Sequence, residues 1–457
     1  MSIFKACDIR GIYPDEIDER VSHDIGRAVA SKLGGGNVVV GGDVRLSTAC
    51  LKRAVIEGLT RSGASVMDIG IVPTPVFYFA RKHLRIDAGV MVTASHNPAE
   101  HNGLKIILGK LPITEEEMAN LRRLTESREF TDGAGNCRRI DVGQAYESFI
   151  VDSSASLVPT ELPRPSVVLD CGHGCYSEIA PRVLKRLGVP HVPLFCSANG
   201  AFPGRGPNSS IEANLGKLRE LVIKNKADLG VAFDGDGDRV SFVDERGEFV
   251  SQDKVIAIIA RHHLGGIVPG DKVILDIKCS RAVADSVREL GGMSLVEKSG
   301  HTFIKTRVIR ENAALGGEMS GHLFYRELEG GDDGLYSALA MIGIVASHGP
   351  LSALAAAVPS YVTTPEIRLR LPDGVDVFSP IAQAFPPERV NRLDGVLVEF
   401  PNGWALARLS VTEPIVTLRF EAEDQTSLSE IMASFLAPVP LLRDALCKQH
   451  PNLCQNP

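Results

Sequence analysis

One pattern occurs three times along the 457-residue chain and constrains its fold more than any other feature. A short apolar, β-rich run is followed by a helical stretch that ends near a glycine, and a second apolar run then leads into a dense polar loop. The first runs are residues 38–40, 167–170 and 273–276, and the glycines are Gly63, Gly188 and Gly291. Alternating strand and helix patterns predict βα units and mostly parallel sheets, and their repetition predicts repeated domains.

The segment after residue 361 does not follow this pattern. Closely spaced strands are predicted at 396–400, 404–408 and 415–420, with a helix near 427–435 and a fourth polar loop at 408–414. The predicted fold is therefore three similar α/β domains with mixed, mostly parallel sheets, plus a smaller C-terminal α+β domain. We place the four domains at residues 1–146, 147–248, 249–361 and 362–457.

Composition and charge exclude several classes of protein. The chain has 49 basic and 56 acidic residues, a net charge of −7, which does not suit a globally basic nucleic-acid binder. No apolar run reaches the ~18 residues of a membrane span, and the most apolar stretch, 335–346, predicts a buried helix. The start of the chain lacks a signal-like apolar segment. Nine scattered cysteines predict free thiols, and we expect a cytoplasmic protein without nucleic-acid or membrane partners.

Three carboxylates separated by glycines form the second polar loop: Asp234, Asp236 and Asp238. Oxygen ligands at this spacing can surround one hard cation, Mg²⁺ or Ca²⁺. An EF-hand is excluded because Arg239 occupies the sixth position, where the sharp turn requires glycine. A solvated acidic turn is the alternative, but three packed acids repel one another unless a cation is present. The neighbouring Arg239 indicates a phosphate close to the metal.

The first polar loop, residues 93–98, contains Ser95 followed by His96. The G-x-S-x-G pattern of hydrolases is absent, so acyl chemistry has little support. A serine hydroxyl, a divalent cation and the nearby Lys105 are instead the parts of phosphoryl transfer, which depends on positioning and charge neutralisation.

Glu318, Ser320 and His322 alternate in the third polar loop. If this stretch is extended, all three side chains point the same way and suit vicinal sugar hydroxyls. A polar loop capped by Gly321 is an equally good interpretation.

Arg408, Ser410 and Thr412 alternate in the fourth loop. The guanidinium fork and two hydroxyls predict a phosphate clamp, and a solvated turn remains the alternative.

Taken together, these motifs resemble the α-D-phosphohexomutase family, most closely its phosphomannomutase/phosphoglucomutase branch. The resemblance runs from residue 4 to about residue 422 and includes the four loops in order. Three further segments match signatures of the family: residues 4–11, 42–47 and 278–281.

The resemblance implies four domains around a central cleft and the interconversion of hexose 6-phosphate and hexose 1-phosphate. It implies that Ser95 carries a phosphoryl group and, with the three aspartates of residues 234–238, holds Mg²⁺. A hexose 1,6-bisphosphate would be both intermediate and activator. The resemblance further assigns acid/base work to Lys105 and His301, charge stabilisation to Arg10 and Arg239, sugar binding to Glu318, Ser320, His322 and Lys278, and distal-phosphate binding to Arg408, Ser410 and Thr412.

Two positions depart from the family pattern, and one bears on the substrate. Cys7 replaces a common aromatic residue near Arg10, and Val411 replaces a small or polar residue of the phosphate loop. Met319 is typical of members that accept mannose and glucose phosphates, whereas the phosphoglucosamine branch usually has Gln there. We therefore expect small-molecule sugar phosphates as partners of a monomer or homodimer. Phosphoglucosamine mutase, a metal-dependent sugar phosphatase and a non-catalytic sugar-phosphate-binding protein remain alternatives.

Overall fold

The chain folds into four consecutive units, each built on its own β-sheet. The computed structural model describes residues 3–158, 161–372, 374–410 and 415–453.

The first unit contains a six-stranded sheet in the order β1-β5-β4-β2-β3-β6. Strands β4, β2, β3 and β6 are parallel neighbours, whereas β1 and β5 are antiparallel to their neighbours. The elements are β1 (Ile9–Ile12), α1 (Glu19–Leu33), β2 (Gly36–Gly42), α2 (Thr48–Arg61), β3 (Ala64–Ile71), α3 (Thr74–His83), β4 (Ala88–Val92), β5 (His101–Ile107), α4 (Glu115–Ser127) and β6 (Asn136–Arg139).

The second unit contains a five-stranded sheet in the order β11-β10-β9-β7-β8. Its elements follow the connecting helix α5 (Gly143–Ser154) and are β7 (Val167–Asp170), α6 (Ile179–Arg186), β8 (His191–Leu194), α7 (Gly216–Asn225), β9 (Leu229–Phe233), β10 (Val240–Asp244) and β11 (Phe249–Val250).

The third unit has the strand order β13-β12-β14-β15-β16. Its elements are α8 (Gln252–His262), β12 (Lys272–Asp276), α9 (Arg281–Glu289), β13 (Met293–Glu297), α10 (His301–Glu311), β14 (Leu315–Gly317), β15 (Leu323–Tyr325), β16 (Gly331–Asp332), α11 (Gly334–His348) and α12 (Leu351–Ala356).

The fourth unit is an antiparallel sheet in the order β17-β22-β21-β20-β19, with β18 also paired to β22. Its elements are β17 (Val362–Thr363), β18 (Ile367–Leu369), α13 (Phe378–Ala384), β19 (Val390–Asn391), β20 (Val396–Phe400), β21 (Gly403–Leu409), β22 (Val416–Ala422), α14 (Gln425–Leu436) and α15 (Pro440–Gln449).

The predicted repetition is confirmed by the topology. Strands β2, β7 and β12 hold equivalent places in their sheets, and the polar loops join the equivalent antiparallel pairs β4–β5, β9–β10 and β14–β15. Helices α2, α6 and α9 each end two residues before the predicted glycine, and all three glycines have positive φ. The sheets are mixed, but the second and third contain two parallel and two antiparallel pairs each, because every polar loop reverses the chain.

Helix α11 is the predicted buried helix and packs the second and third units together. Asp333 caps it by accepting hydrogen bonds from the amides of Leu335 and Tyr336, and every residue from Gly334 to Val345 is buried. The helix contacts β9, β10, α5 and α8. Its uniform burial explains why the sequence shows no polar face there. Within the described residues, no helix has both the length and the apolar character that crossing a membrane requires.

The cysteines agree with the predicted free thiols except at one position. Seven described cysteines are free, namely Cys7, Cys50, Cys137, Cys171, Cys175, Cys196 and Cys279. Cys447 is disulfide-bonded, so the prediction is wrong there.

Candidate active site

Ser95 lies at the tip of the β4–β5 loop and meets the loop of the second unit. Its Oγ donates a 2.8 Å hydrogen bond to Oδ2 of Asp234, 139 residues away in the chain. The residue is fully buried and adopts a left-handed backbone with φ of 50°. A side chain at Gly235 would lie 2.6 Å from the carbonyl oxygen of Ser95, so glycine is what permits this approach.

Lys105, on strand β5, neutralises part of the acidic loop. Its Nζ lies 2.9 Å from Oδ2 of Asp236 and also pairs with Oδ2 of Asp238. Burial alone would lower the pKa of the Lys105 amine, but these two carboxylates raise it well above its ordinary value. Lys105 is therefore a fixed cation on the same strand pair that carries Ser95.

The three aspartates of the second loop are buried and fit a cation. Their carboxylate oxygens lie within 4.8 Å of one another. Burial and the two neighbouring carboxylates raise the pKa of Asp234 to about 7. Oδ1 of Asp236 and Oδ1 of Asp238 are buried without a hydrogen-bond partner. A hard divalent ion suits these two partnerless carboxylate oxygens.

Arg10 and His96 complete the surroundings of Ser95. Arg10 donates to the carboxylate of Asp8, the carbonyl oxygen of Ala94 and the side chain of Asn97, so it is held against the serine loop. Nδ1 of His96 lies 3.2 Å from Oγ of Ser95. Burial and the charges of Arg239 and Arg10 lower the pKa of His96 well below its ordinary value, which keeps this imidazole neutral.

An acid lies at the end of the equivalent strand in each of the first three units: it is the residue after β2 and the last residue of β7 and of β12. Asp43, Asp170 and Asp276 each accept a hydrogen bond from the amide two residues further on, at 3.0, 2.8 and 3.0 Å. Each acid also faces a cation. Arg45 pairs with Asp43 at 3.0 Å and Arg205 with Asp170 at 2.7 Å, whereas Lys278 lies 3.6 Å from Asp276.

The two arginines of this series brace the loops of their own units. Arg45 donates to the carbonyl oxygens of Ser95, Asn97, Pro98 and His101. Arg205 donates to the carbonyl oxygen of Phe233, directly before the acidic loop.

The third loop is a tight turn rather than an extended strand. The Glu318 amide donates to the His322 carbonyl oxygen, the Gly321 amide donates to the Glu318 carbonyl oxygen, and Gly321 has φ of 100°. Because the loop is not extended, the alternating positions of Glu318, Ser320 and His322 do not by themselves place their side chains on one side. Oε2 of Glu318 and Oγ of Ser320 are buried without a hydrogen-bond partner, so both atoms are suited to hydrogen-bond a ligand.

His322, in this turn, is held by two charged partners and contacts His301. Nε2 of His322 accepts a 3.0 Å hydrogen bond from Nε of Arg239, and its Nδ1 lies 2.9 Å from Oδ2 of Asp332. The His301 ring, at the start of α10, stacks on it with centroids 5.6 Å apart. Burial, together with Lys105 and His322, lowers the pKa of His301 well below its ordinary value, so the His301 ring is neutral.

The fourth unit is joined to the third through Asp394, which sequence reasoning missed. Its Oδ2 accepts a 2.8 Å hydrogen bond from Nε of Arg408 and a 3.2 Å bond from the amide of Ser299. The Ser410 amide donates to the carbonyl oxygen of Ile415, which shapes the base of the fourth loop. Val411 and Thr412 lie outside the described residues.

Comparisons with known proteins agree with this architecture. Models of the phosphoglucomutase/phosphomannomutase family match as alpha/beta/alpha domains I, II and III at residues 1–132, 145–247 and 251–361, and as the C-terminal domain at 366–437.

Curated relatives and solved structures match over nearly the whole chain. The phosphomannomutase/phosphoglucomutase of Pseudomonas aeruginosa is 37% identical over 445 residues, 95% of this chain and 94% of the relative. The phosphoglucomutase of Neisseria gonorrhoeae is 36% identical over 450 residues, 96% of each chain. The crystal structure of a phosphoglucomutase/phosphomannomutase family protein from Burkholderia thailandensis has a TM-score of 0.87, 36% identity and 98% coverage of both chains. The predicted family is confirmed, and the chain belongs to the phosphoglucomutase/phosphomannomutase family.

Proposed function

We propose that this chain interconverts hexose 6-phosphate and hexose 1-phosphate through a phosphoserine at Ser95 and a hexose 1,6-bisphosphate. The observation that carries the proposal is the 2.8 Å hydrogen bond between Oγ of Ser95 and Oδ2 of Asp234. The hydroxyl that could hold a phosphoryl group thus bonds to one of three clustered, buried carboxylates. Phosphoryl transfer needs this combination of a positioned oxygen and neutralised charge.

Asp234, Asp236 and Asp238 would hold Mg²⁺, with the phosphorylated Ser95 as a further ligand. The ion would neutralise the charge that develops on the transferring group. Two orphaned carboxylate oxygens and the raised pKa of Asp234 support this assignment.

In the transfer step, the bond between Oγ of Ser95 and phosphorus breaks as a sugar hydroxyl oxygen attacks the phosphorus. The attacking hydroxyl must lose a proton, and Ser95 must regain one. Neutral His301 is suited to accept the first proton, and the protonated amine of Lys105 would supply the proton that Oγ of Ser95 regains. Arg10 and Arg239 would hold the transferring oxygens. The reverse step at the other end of the bisphosphate returns a phosphoryl group to Ser95.

The sugar would bind between the third and fourth loops. The orphaned Oε2 of Glu318 and Oγ of Ser320 would take hydroxyls. Lys278 and His322 would lie beside them, and Arg408, Ser410 and Thr412 would take the distal phosphate. Mannose and glucose phosphates are favoured over glucosamine phosphate because Met319 stands where the glucosamine branch has Gln, and the two relatives reported above carry phosphomannomutase or phosphoglucomutase in their names.

A coupled assay tests this function. Mannose 1-phosphate, glucose 1-phosphate and glucosamine 1-phosphate are offered separately with a trace of hexose 1,6-bisphosphate, and free phosphate is measured in the same samples. The proposal expects 6-phosphates to form from mannose and glucose with no net phosphate release. Stoichiometric phosphate release would identify a phosphatase. Fastest turnover of glucosamine 1-phosphate would overturn the sugar assignment, and binding without turnover would overturn the assignment of an enzymatic activity.

A further inference from the structure

Four buried side chains form a continuous row behind the candidate active site. Nζ of Lys305 donates a 3.0 Å hydrogen bond to Oδ1 of Asp332, whose Oδ2 lies 2.9 Å from Nδ1 of His322. Nε2 of His322 accepts a 3.0 Å bond from Nε of Arg239. Each of the four residues is at most 9% exposed, and Nζ of Lys305 also lies 3.4 Å over the ring centre of Tyr78 in the first unit.

These contacts determine which nitrogen of His322 carries the proton. A guanidinium is always protonated, so its Nε–H must donate, and Nε2 of His322 must therefore present a lone pair. The proton of the neutral ring then sits on Nδ1, where it faces the carboxylate of Asp332. The donor at Nε2 sets this tautomer, and the carboxylate of Asp332, in ion-pair contact 2.9 Å from Nδ1 but outside hydrogen-bond alignment, favours the same tautomer electrostatically.

The row ends at the guanidinium of Arg239, beside the acidic loop whose Asp234 meets Ser95. Nε of Arg239 lies 3.9 Å from Oδ2 of Asp234, the oxygen that accepts from Ser95. Because Nε is held by His322, the two terminal nitrogens of Arg239 remain for other acceptors, and they bond to no other residue in the described part of the chain. His322 thus fixes the plane in which Arg239 presents these nitrogens.

A metal ion is the competing explanation for part of this row. Asp238, His322 and Asp332 have ligand atoms within 4.8 Å of one another. However, the charge of Asp332 is already matched by Lys305, and Nδ1 of His322 carries a proton rather than a free lone pair. Lys305 thus balances the charge of Asp332 at 3.0 Å without a cation.

We propose that Asp332, held in place by Lys305, is a positioning residue: it fixes the tautomer of His322, and His322 in turn aims Arg239 at the phosphoryl group on Ser95. This inference rests on the proposed function and assigns roles to two residues, Asp332 and Lys305, that touch neither the sugar nor the cation. It also gives His322 a bracing role in place of direct contact with sugar hydroxyls.

Two double variants of equal size test the proposal. In D332N/K305M the side-chain amide keeps an acceptor oxygen for Nδ1 of His322, whereas D332L/K305M has the same shape without an acceptor. Lys305→Met removes the buried ammonium that either change would otherwise leave unpaired, so both proteins should fold and melt together. Thermal melts establish that match before activity is compared.

Histidine-labelled protein is then examined by ¹⁵N NMR, and the His322→Gln variant identifies the His322 signals. The proposal expects Nδ1–H with an unprotonated Nε2 in the wild type and in D332N/K305M, and a mixed or reversed tautomer in D332L/K305M. It also expects kcat to be lower in D332L/K305M than in D332N/K305M by on the order of 10- to 100-fold, with similar KM, because misplaced transition-state groups cost rate rather than binding.

Equal tautomers or equal kcat values in the two variants would overturn the inference. A proton on Nε2 in the wild type would do the same. If the wild type proved to lack mutase turnover, the proposed function would fall on its own, because the NMR assignment uses no substrate and still decides the tautomer.

Discussion

Replacing Arg45 by Met should destabilise the protein and slow phosphoryl transfer together. The guanidinium of Arg45 is fully buried and pairs with Asp43 at 3.0 Å. It also donates to four carbonyl oxygens of the loop that carries Ser95. Methionine fills a similar volume but supplies no donor, so the R45M variant isolates the loss of these bonds from the loss of packing.

The expected loss of stability follows from what the substitution leaves behind. Removing one partner of a buried ion pair typically costs about 3–5 kcal/mol, a large part of the ~5–15 kcal/mol that stabilises a folded domain. The carbonyl oxygen of Ser95 would lose its 2.9 Å donor, and the left-handed backbone there would no longer be held. A shift of the reacting oxygen by about 1 Å would lower kcat by on the order of 100-fold.

Urea denaturation and steady-state turnover measure the two effects, and R205M is the matched control. Arg205 makes the equivalent pair with Asp170 at 2.7 Å, but it braces Phe233 beside the acidic loop. R205M should lose similar stability and should raise the Mg²⁺ concentration for half-maximal turnover more than R45M does. An R45M protein with an unchanged unfolding midpoint and unchanged kcat would refute the reasoning.

Three further outcomes are expected. Burial raises the pKa of Asp333 to about 6, so its proton is bound more tightly in the folded state. The free energy of unfolding of the wild type should therefore fall by up to about 3 kcal/mol relative to that of D333N as pH rises from about 4 to about 7. A difference in urea midpoints that did not change with pH would contradict this. D394A removes the acceptor of Arg408 and of the Ser299 amide, so KM for the sugar phosphate should rise roughly fivefold, about 1 kcal/mol, with kcat little changed; an unaltered KM would count against a phosphate-binding Arg408. Chelation with EDTA should abolish turnover and added Mg²⁺ should restore it, without a change in circular dichroism; turnover that survives chelation would exclude a metal-dependent step.

The repeated architecture was predictable because its signals are local. Runs such as residues 167–170 and 273–276 encode buried strands, and glycines such as Gly188 and Gly291 stop the following helices. The polar loops follow from the same rule in each unit. Ser95 and Asp234 meet because loops beyond the ends of central strands converge where the first two units face each other.

The remaining contacts depend on how distant segments pack. Nothing near His322 in the sequence indicates that Asp332 and Arg239 flank its two nitrogens, since Asp332 lies in another strand, β16, and Arg239 lies 83 residues earlier. Asp394 likewise acts between two units. The third loop was expected to align its side chains only if extended, and Gly321, with φ of 100°, turns it instead.

The most direct test of the account is to locate the phosphoryl group on the protein. Wild type and S95A are incubated with hexose 1,6-bisphosphate and Mg²⁺, and their intact masses and peptides are compared by mass spectrometry. The account predicts one added phosphate on the wild type, on the peptide that contains Ser95, and none on S95A. Adding glucose 1-phosphate, which accepts the phosphoryl group, should remove this phosphate from the wild type. A phosphate on another residue, or full mutase turnover by folded S95A, would contradict it.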